Sequence, residues 1–304
     1  MHFAKFRETC HSIHEPTTIV CHSKGYGDIK NEFSNEALTI RSGGNYSYDE
    51  DSLELRSGTN VRRINNRDSA IYKCSGSLIN RRYVLTAAHC HSKENPVKYV
   101  IVGDHDLDKD PDCDNGCPKA QVFRPDGNII IHENFNDDTL ENDIALIRLD
   151  GVVDTIYENY DNIVMPVCLP LPENQEAYQA KDFLVHGWGR TEQYEDILET
   201  RSLGINERLP RKVGKSLQDP NKCRSNFPNP ISEDKQLCVG GEAGFDSCQG
   251  DSGGPLIDEV DVNVPATLYG IVSYGSPRCG AEGVPAVYTR VEHYIDWIRA
   301  NLRD

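Results

Sequence analysis

From about residue 70 onward, apolar residues come in short runs closed by clusters of Gly, Pro, Asn, Asp and Ser. Ser77-Leu78-Ile79, Tyr83-Val84-Leu85, Tyr99-Val100-Ile101-Val102, Asn128-Ile129-Ile130-Ile131, Ile144-Ala145-Leu146-Ile147 and Phe183-Leu184-Val185 are such runs. Pro255-Leu256-Ile257, Leu268-Tyr269-Gly270-Ile271-Val272 and Ala286-Val287-Tyr288 continue the series. Many short strands with no helical stretch between them predict an all-β, antiparallel sandwich or barrel. The exception closes the chain. Val291, Tyr294, Ile295, Ile298 and Leu302 recur at helical spacing with Asp296 and Arg299 between them, which predicts a terminal α-helix docked by one apolar stripe. Residues 1–57 are polar and follow neither period, so they read as an irregular N-terminal segment ahead of one domain over 58–304.

Composition narrows the class. A chain of 304 residues with 38% hydrophobic residues and 24 glycines is globular and rich in turns. No stretch approaches the roughly 20 apolar residues that span a bilayer, so no membrane helix is predicted. A formal charge of −16 excludes nucleic acid as a partner, because phosphate binding needs a basic surface. Eleven cysteines without a paired zinc-type spacing predict a disulfide framework and an oxidising compartment, and the odd count leaves one cysteine free or joined to another chain. The ten histidines fall in no metal-binding spacing. A secreted chain needs an apolar leader core, and the opening MHFAKFRETCHSIHEP is polar, so the natural N-terminus is expected to differ from this one. Asn45-Tyr46-Ser47 has the glycosylation acceptor pattern, meaningful only outside the cytosol.

Three segments carry candidate chemistry. In Asp246-Ser247-Cys248-Gln249-Gly250-Asp251-Ser252-Gly253-Gly254-Pro255, glycines flank Ser252 and let the backbone turn sharply, so that the N–H groups of Gly250 and Ser252 can aim at one point. A serine hydroxyl is a weak nucleophile until a base takes its proton and such donors hold the oxyanion. Leu85-Thr86-Ala87-Ala88-His89-Cys90 sets a histidine among small residues, where one ring nitrogen can reach a hydroxyl. Asn142-Asp143-Ile144-Ala145-Leu146-Ile147 puts an acid at the head of an apolar strand, and burial there is costly without partners. The N–H of His89 would be one, fixing the tautomer that leaves its other nitrogen free. Alone, the histidine is more often structural, the aspartate a turn cap and the serine part of an ordinary turn.

Together the GDSGGP and TAAHC runs and the order His89, Asp143, Ser252 resemble the trypsin-like (chymotrypsin-fold, S1) serine proteases from about Tyr72 to the C-terminus. Gly103-Asp104-His105-Asp106-Leu107, the following Asp110-Pro111-Asp112-Cys113, Pro166-Val167-Cys168-Leu169-Pro170, Gly187-Trp188-Gly189 and Cys279-Gly280-Ala281-Glu282-Gly283-Val284-Pro285 look like segments of arthropod clip-domain proteases of haemolymph cascades. The resemblance implies two antiparallel β-barrels with the triad in the cleft between them, and hydrolysis of protein substrates after Arg or Lys. It places Asp246 at the bottom of the specificity pocket, where a buried carboxylate selects a basic side chain. Ser273, Tyr274 and Gly275 would form one wall. Ala286 stands where the family has glycine, and its methyl is expected to protrude into the pocket.

The same resemblance implies the disulfides Cys74–Cys90, Cys223–Cys238, Cys248–Cys279 and Cys113–Cys117, with Cys168 tied to Cys10 or Cys21. It implies secretion as a zymogen, 1–57 being a propeptide remnant, with Asp251 receiving the ammonium of a newly cut amino terminus. No Ile-Val-Gly-Gly is present; Thr39-Ile40-Arg41-Ser42-Gly43-Gly44-Asn45 is the nearest echo, and Arg56-Ser57-Gly58-Thr59 and Arg62-Arg63-Ile64-Asn65 are weaker ones. The clip domain is not evident, with only Cys10 and Cys21 upstream. Other zymogens are the expected substrates and serpin-type inhibitors are candidate partners. No cofactor is expected to be required. Asp104 and Asp106 fall in a loop where some relatives hold calcium, though a solvated loop is the favoured reading. Arg208, Arg211, Lys212 and Lys215 form either an exosite for an acidic partner or, as favoured, a solvated surface loop. The alternative to an enzyme is a non-catalytic protease homologue that binds or regulates.

Overall fold

The computed structural model describes the backbone at 11–12, 19–20 and 38–42, and residues 71–93, 96–104, 119–155, 164, 166–170, 182–189, 211–244, 246–258 and 266–303, with the backbone alone at 71–73, 182 and 211. The features expected at Cys10, Cys21, Asn45, Asp106, Cys113, Cys117 and Arg208, and in the basic segment 56–65, lie outside the described residues.

A two-stranded antiparallel ladder joins β1 (His11–Ser12) and β2 (Ile19–Val20). The first large sheet contains β3 (Leu38–Ser42), β4 (Ile71–Asn80), β5 (Tyr83–Thr86), β6 (Val97–Val102), β7 (Gln121–Phe123), β8 (Ile130–Ile131) and β9 (Ala145–Arg148). Its order is β7-β6-β3-β4-β5-β9-β8, and every pairing is antiparallel. The sheet closes on itself. Val100 of β6 pairs with Phe123, and just beyond, Pro125 bridges Leu149 while the Asp126 N–H donates to the Arg148 carbonyl at 2.7 Å. Strands β7 and β8 are therefore successive stretches of one seam that joins both ends of the ladder, which leaves no free edge along it.

The second sheet contains β10 (Asp182–Gly187), β11 (Arg211–Ser216), β12 (Gln236–Val239), β13 (Pro255–Asp258), β14 (Leu268–Tyr274) and β15 (Ala286–Arg290), in the order β11-β10-β13-β14-β15-β12. Its ends meet as well: Leu217 bridges Val239, and the Gly240 N–H donates to the Ser216 carbonyl at 2.9 Å. The fold is thus all-β, with two antiparallel barrels of the chymotrypsin type. Strands such as β5 and β12 are buried at every position, which suits a barrel wall with a core on one side and another layer on the other.

Two elements differ from the expectation. Leu38–Ser42 lies in the stretch read as irregular, yet it pairs with both β4 and β6, Ile40 opposite Cys74 and Val100. Five residues in an otherwise polar stretch are too brief for alternation to stand out. Thr39 to Ser42, the first four residues of the nearest echo of an activation site, consequently lie in a strand, and 43–45 lie outside the described residues. The second is α1 (Pro220–Asn226), a helix that buries only Cys223 and so shows no apolar stripe; Asp219 caps it, accepting from the Asn221 N–H at 2.8 Å, and proline stands in its first turn.

The terminal helix forms as predicted. A 3₁₀ turn over Val291–Tyr294 leads into α2 (Ile295–Asn301), which buries Ile295 and Ile298 in the same apolar cluster as Leu85 and Leu146. The chain end is pinned where the Arg303 N–H donates to the Tyr83 hydroxyl at 2.9 Å. Three disulfides appear as the resemblance implied, Cys74–Cys90, Cys223–Cys238 and Cys248–Cys279. Cys168 is also disulfide-bonded. Among the described residues no helix is long and apolar enough to cross a membrane.

Truncating Ile298 to alanine removes a fully buried side chain from the contact between α2 and the first barrel. The expected cost is about 2–5 kcal/mol, read as a lower urea midpoint with an unchanged m-value.

Candidate active site

Asp143 heads β9 and has no exposed surface. Its Oδ1 accepts the backbone N–H of His89 at 2.9 Å, and its Oδ2 accepts both His89 Nδ1, at 2.7 Å, and the Ser273 hydroxyl, at 2.6 Å. Three donors on one carboxylate are what an ionised group needs to survive burial. Since an ionised carboxylate only accepts, the proton of the imidazole sits on Nδ1 and Nε2 is left as the acceptor. Burial opposes protonation of His89, but the Asp143 charge and hydrogen bond, with Asp137 further off, outweigh it and hold the imidazole above its usual 6.5.

His89 lies in a single 3₁₀ turn, Ala88–Cys90, directly after β5, and the Cys74–Cys90 disulfide ties that turn to β4. Ser252 is brought to the same strand by its backbone. Its carbonyl accepts the Ser75 N–H at 2.7 Å and lies 3.7 Å from the Cys90 sulfur. Gly253 follows with a φ of +78° and sits so close to β5 that a Cβ there would overlap Thr86 Oγ1 and the Ser75 carbonyl. Only glycine permits both the conformation and the approach. Among the described residues Ser252 Oγ makes no hydrogen bond to His89. Such bonds are often long in an empty site and tighten when substrate excludes water. Gly250 has a φ of +106°, and among the described residues neither its N–H nor that of Ser252 has an acceptor.

Asp251 is buried beneath this turn. Its Oδ1 accepts the Gly189 N–H at 2.8 Å and its Oδ2 the Cys248 N–H at 2.9 Å. Side chains on Gly187 or Gly189 would overlap that carboxylate, so the glycines of the Gly187-Trp188-Gly189 run make its berth. Among the described residues no cation pairs with it. Burial pushes its carboxyl up to about 6, against the lowering effect of the two N–H donors, and Asp246 adds to the rise.

Asp246 lies where the Cys248–Cys279 disulfide joins the nucleophile segment to the loop before β15. Its carboxylate accepts the Ser247 N–H at 2.9 Å and the Gly280 N–H at 3.4 Å, and the side chain is 3% exposed. It also accepts Lys215 Nζ at 3.2 Å. Lys215 is fully buried, which removes it from the surface patch expected from the sequence; its neighbour Lys212 is exposed. A lysine on a strand that otherwise reads as polar gives no sign of pointing inward. Ala286 is buried, and its Cβ lies 3.2 Å from where a Cβ on Gly275 would sit. Ser273 has a role that sequence reasoning missed. It was expected only as a wall, and its hydroxyl is bound to Asp143.

Asp104 is buried, unlike the solvated loop residue expected. Among the described residues the one cluster of metal-ligating side chains is Cys74, His89 and Cys90, and its cysteines form a disulfide that offers no thiolate.

Comparison with known proteins places the chain in a family. The trypsin family model matches residues 56–298. The chain is 37% identical over 252 residues to CLIP domain-containing serine protease B9 of Anopheles gambiae, covering 79% of this chain and 58% of that protein. It is 36% identical over 249 residues to Melanization protease 1 of Drosophila melanogaster, covering 76% and 58%. It is 40% identical over 243 residues to Phenoloxidase-activating factor 3 of Holotrichia diomphalia, covering 76% and 64%. The chain thus spans less than two thirds of the length of these relatives.

The elevated Asp251 has a consequence for stability. Between its ordinary 3.8 and about 6 the folded protein keeps a proton that the unfolded chain has lost, so this group's contribution weakens as pH rises through that window. Unfolding free energies from pH 4 to 7 should therefore show wild type losing on the order of 3 kcal/mol relative to Asp251→Asn. Parallel curves would show that the carboxyl titrates normally.

Proposed function

The chain belongs to the trypsin family, and we propose that it is a serine endopeptidase with Ser252 as nucleophile, His89 as general base and Asp143 as the group that orients the base. The observation that carries this reading is the 2.7 Å bond from His89 Nδ1 to a fully buried Asp143, which leaves Nε2 free beside the strand on which Ser252 is docked. Ser252 Oγ attacks the scissile carbonyl carbon while its proton passes to Nε2. The Gly250 and Ser252 N–H groups hold the resulting oxyanion. The imidazolium then protonates the leaving amine, and an acyl ester remains on Ser252. Water, deprotonated by the same nitrogen, attacks the ester and returns Ser252 to its starting state. No cofactor enters these steps.

The substrates are proteins, cut after Arg or Lys through the carboxylate of Asp246. Three disulfides support an extracellular setting. The names of the relatives, which refer to melanization and phenoloxidase activation, support a place among proteases that activate other zymogens in an immune cascade. Asp251, buried with no cation beside it among the described residues, is the acid that would receive the ammonium of a newly cut amino terminus and so order the Gly250–Ser252 turn.

Hydrolysis of Arg and Lys peptide anilides, before and after limited tryptic cleavage, tests the reading together with fluorophosphonate labelling. Wild type should be labelled and active, and Ser252→Ala neither. An unlabelled wild type under both conditions would identify a non-catalytic homologue instead. Asp143→Asn should lower kcat by about 10⁴-fold, because the tautomer is no longer fixed. The pH–rate profile of wild type should rise through an apparent pKa above 6.5, since the base must be neutral and Asp143 holds its proton on.

A further inference from the structure

Asp246, the residue assigned to the base of the pocket, is already paired with a cation. Lys215 arises from β11, and its side chain has no exposed surface. Its Nζ lies 3.2 Å from Asp246 Oδ1 and 4.0 Å from Glu242 Oε2. The surrounding backbone is shaped to admit it. Gly240 has a φ of +93°, and a Cβ there would lie 3.1 Å from Nζ and 3.2 Å from Cδ of the lysine. The barrel seam fixes the position, through the Gly240 N–H on the Ser216 carbonyl and the Ser216 N–H on Glu242 Oε1 at 3.3 Å.

Taking the reading of Asp246 as the base of the pocket, we propose that Lys215 is a specificity-determining residue that neutralises Asp246 from within the fold and weakens the pocket's preference for Arg and Lys side chains. A buried ammonium has no water to retreat into, so an arriving guanidinium or ammonium cannot displace it cheaply. It must bind beside a second positive charge, at the Oδ2 side where Gly280 donates. Glu242 returns part of the negative charge, but its side chain is 37% exposed and therefore screened. Burial pushes the Asp246 carboxyl up, and the charge and hydrogen bond of Lys215 offset that only in part. An uncharged side chain meets none of this repulsion.

The test compares kcat/KM for matched peptide substrates with Arg or an uncharged side chain at the cleavage position, at about pH 8, where an ordinary carboxylate is ionised. Replacing Lys215 by methionine keeps its length and removes its charge. Lys215→Met should raise the ratio of Arg to neutral substrate by about tenfold or more. A purely structural ion pair would lower both rates together and leave the ratio unchanged, and that result in a folded variant overturns the proposal. If Lys215→Met does not fold by thermal melting, Lys215→Gln keeps a hydrogen bond to Asp246 without the charge and is read in the same way. Binding of p-aminobenzamidine, a cationic arginine mimic, is followed by fluorescence and needs no turnover. If no substrate is cleaved, the catalytic reading fails, while tighter binding of this probe to the Lys215 variant still supports the proposal and equal affinity still overturns it.

Discussion

A carboxylate with no exposed surface must find donors within the protein, and the ones Asp143 finds come from both halves of the molecule. His89 stands at the end of β5 in the first barrel and Ser273 lies on β14 in the second. The peptide of Asp143 is held across the same divide, its carbonyl accepting the Thr289 hydroxyl at 2.8 Å. The residue before it, Asn142, has a φ of +57°, and its side chain accepts the Tyr294 hydroxyl at 3.1 Å, next to the terminal helix. An acid in such a position cannot be relaxed by local movement. Pulling the barrels apart would strip two of its partners and leave buried polar groups unpaired, at a cost of several kcal/mol. Asp143 thereby also holds the barrels in register, and the geometry of the candidate site is bound to the stability of the whole fold.

The Gly250–Gly254 segment completes the junction by a different device. It makes close approaches that only glycine allows, Gly253 against Thr86 and Gly189 against the Asp251 carboxylate. The Gly253 N–H donates to the Val272 carbonyl and the Val272 N–H to the Gly254 carbonyl, at 2.8 and 2.9 Å, which clamps the turn to β14 on one side while Ser75 holds the Ser252 carbonyl on the other. Ser252 is therefore placed by main-chain contacts on both of its flanks.

What was legible in the sequence follows from this. His89, Asp143 and Ser252 sit in runs whose small and glycine residues are dictated by close backbone packing, so local sequence carries their placement. The barrels were legible because each apolar run is a wall strand. Ser273 was half read: a serine on a buried strand signals a hydrogen bond but not which acid receives it. Leu38–Ser42 was missed because its pairing is made entirely with distant strands. Lys215 was misread for a sharper reason. Charged residues cluster along 208–215, and nothing local distinguishes one that faces solvent from one whose partner lies 31 residues on. Its inward turn depends on Asp246 and on the space at Gly240, and neither is adjacent to it in sequence.

The lysine also bears on the acid it does not touch. Asp246 and Asp251 are both buried in one short segment, and the charge of Asp246 contributes to the rise of the Asp251 carboxyl. Two unpaired carboxylates so placed would each make the other harder to ionise. Among the described residues, Asp246 has an internal ammonium and Asp251 two N–H donors. Among the described residues, the buried ammonium of Lys215 thus serves Asp246, and the acid beneath the Gly250–Ser252 turn is left without a cation. That is the arrangement expected if the charge missing at Asp251 is to arrive from elsewhere, because an acid already satisfied would gain nothing from a new amino terminus, and the turn above it would have no reason to respond.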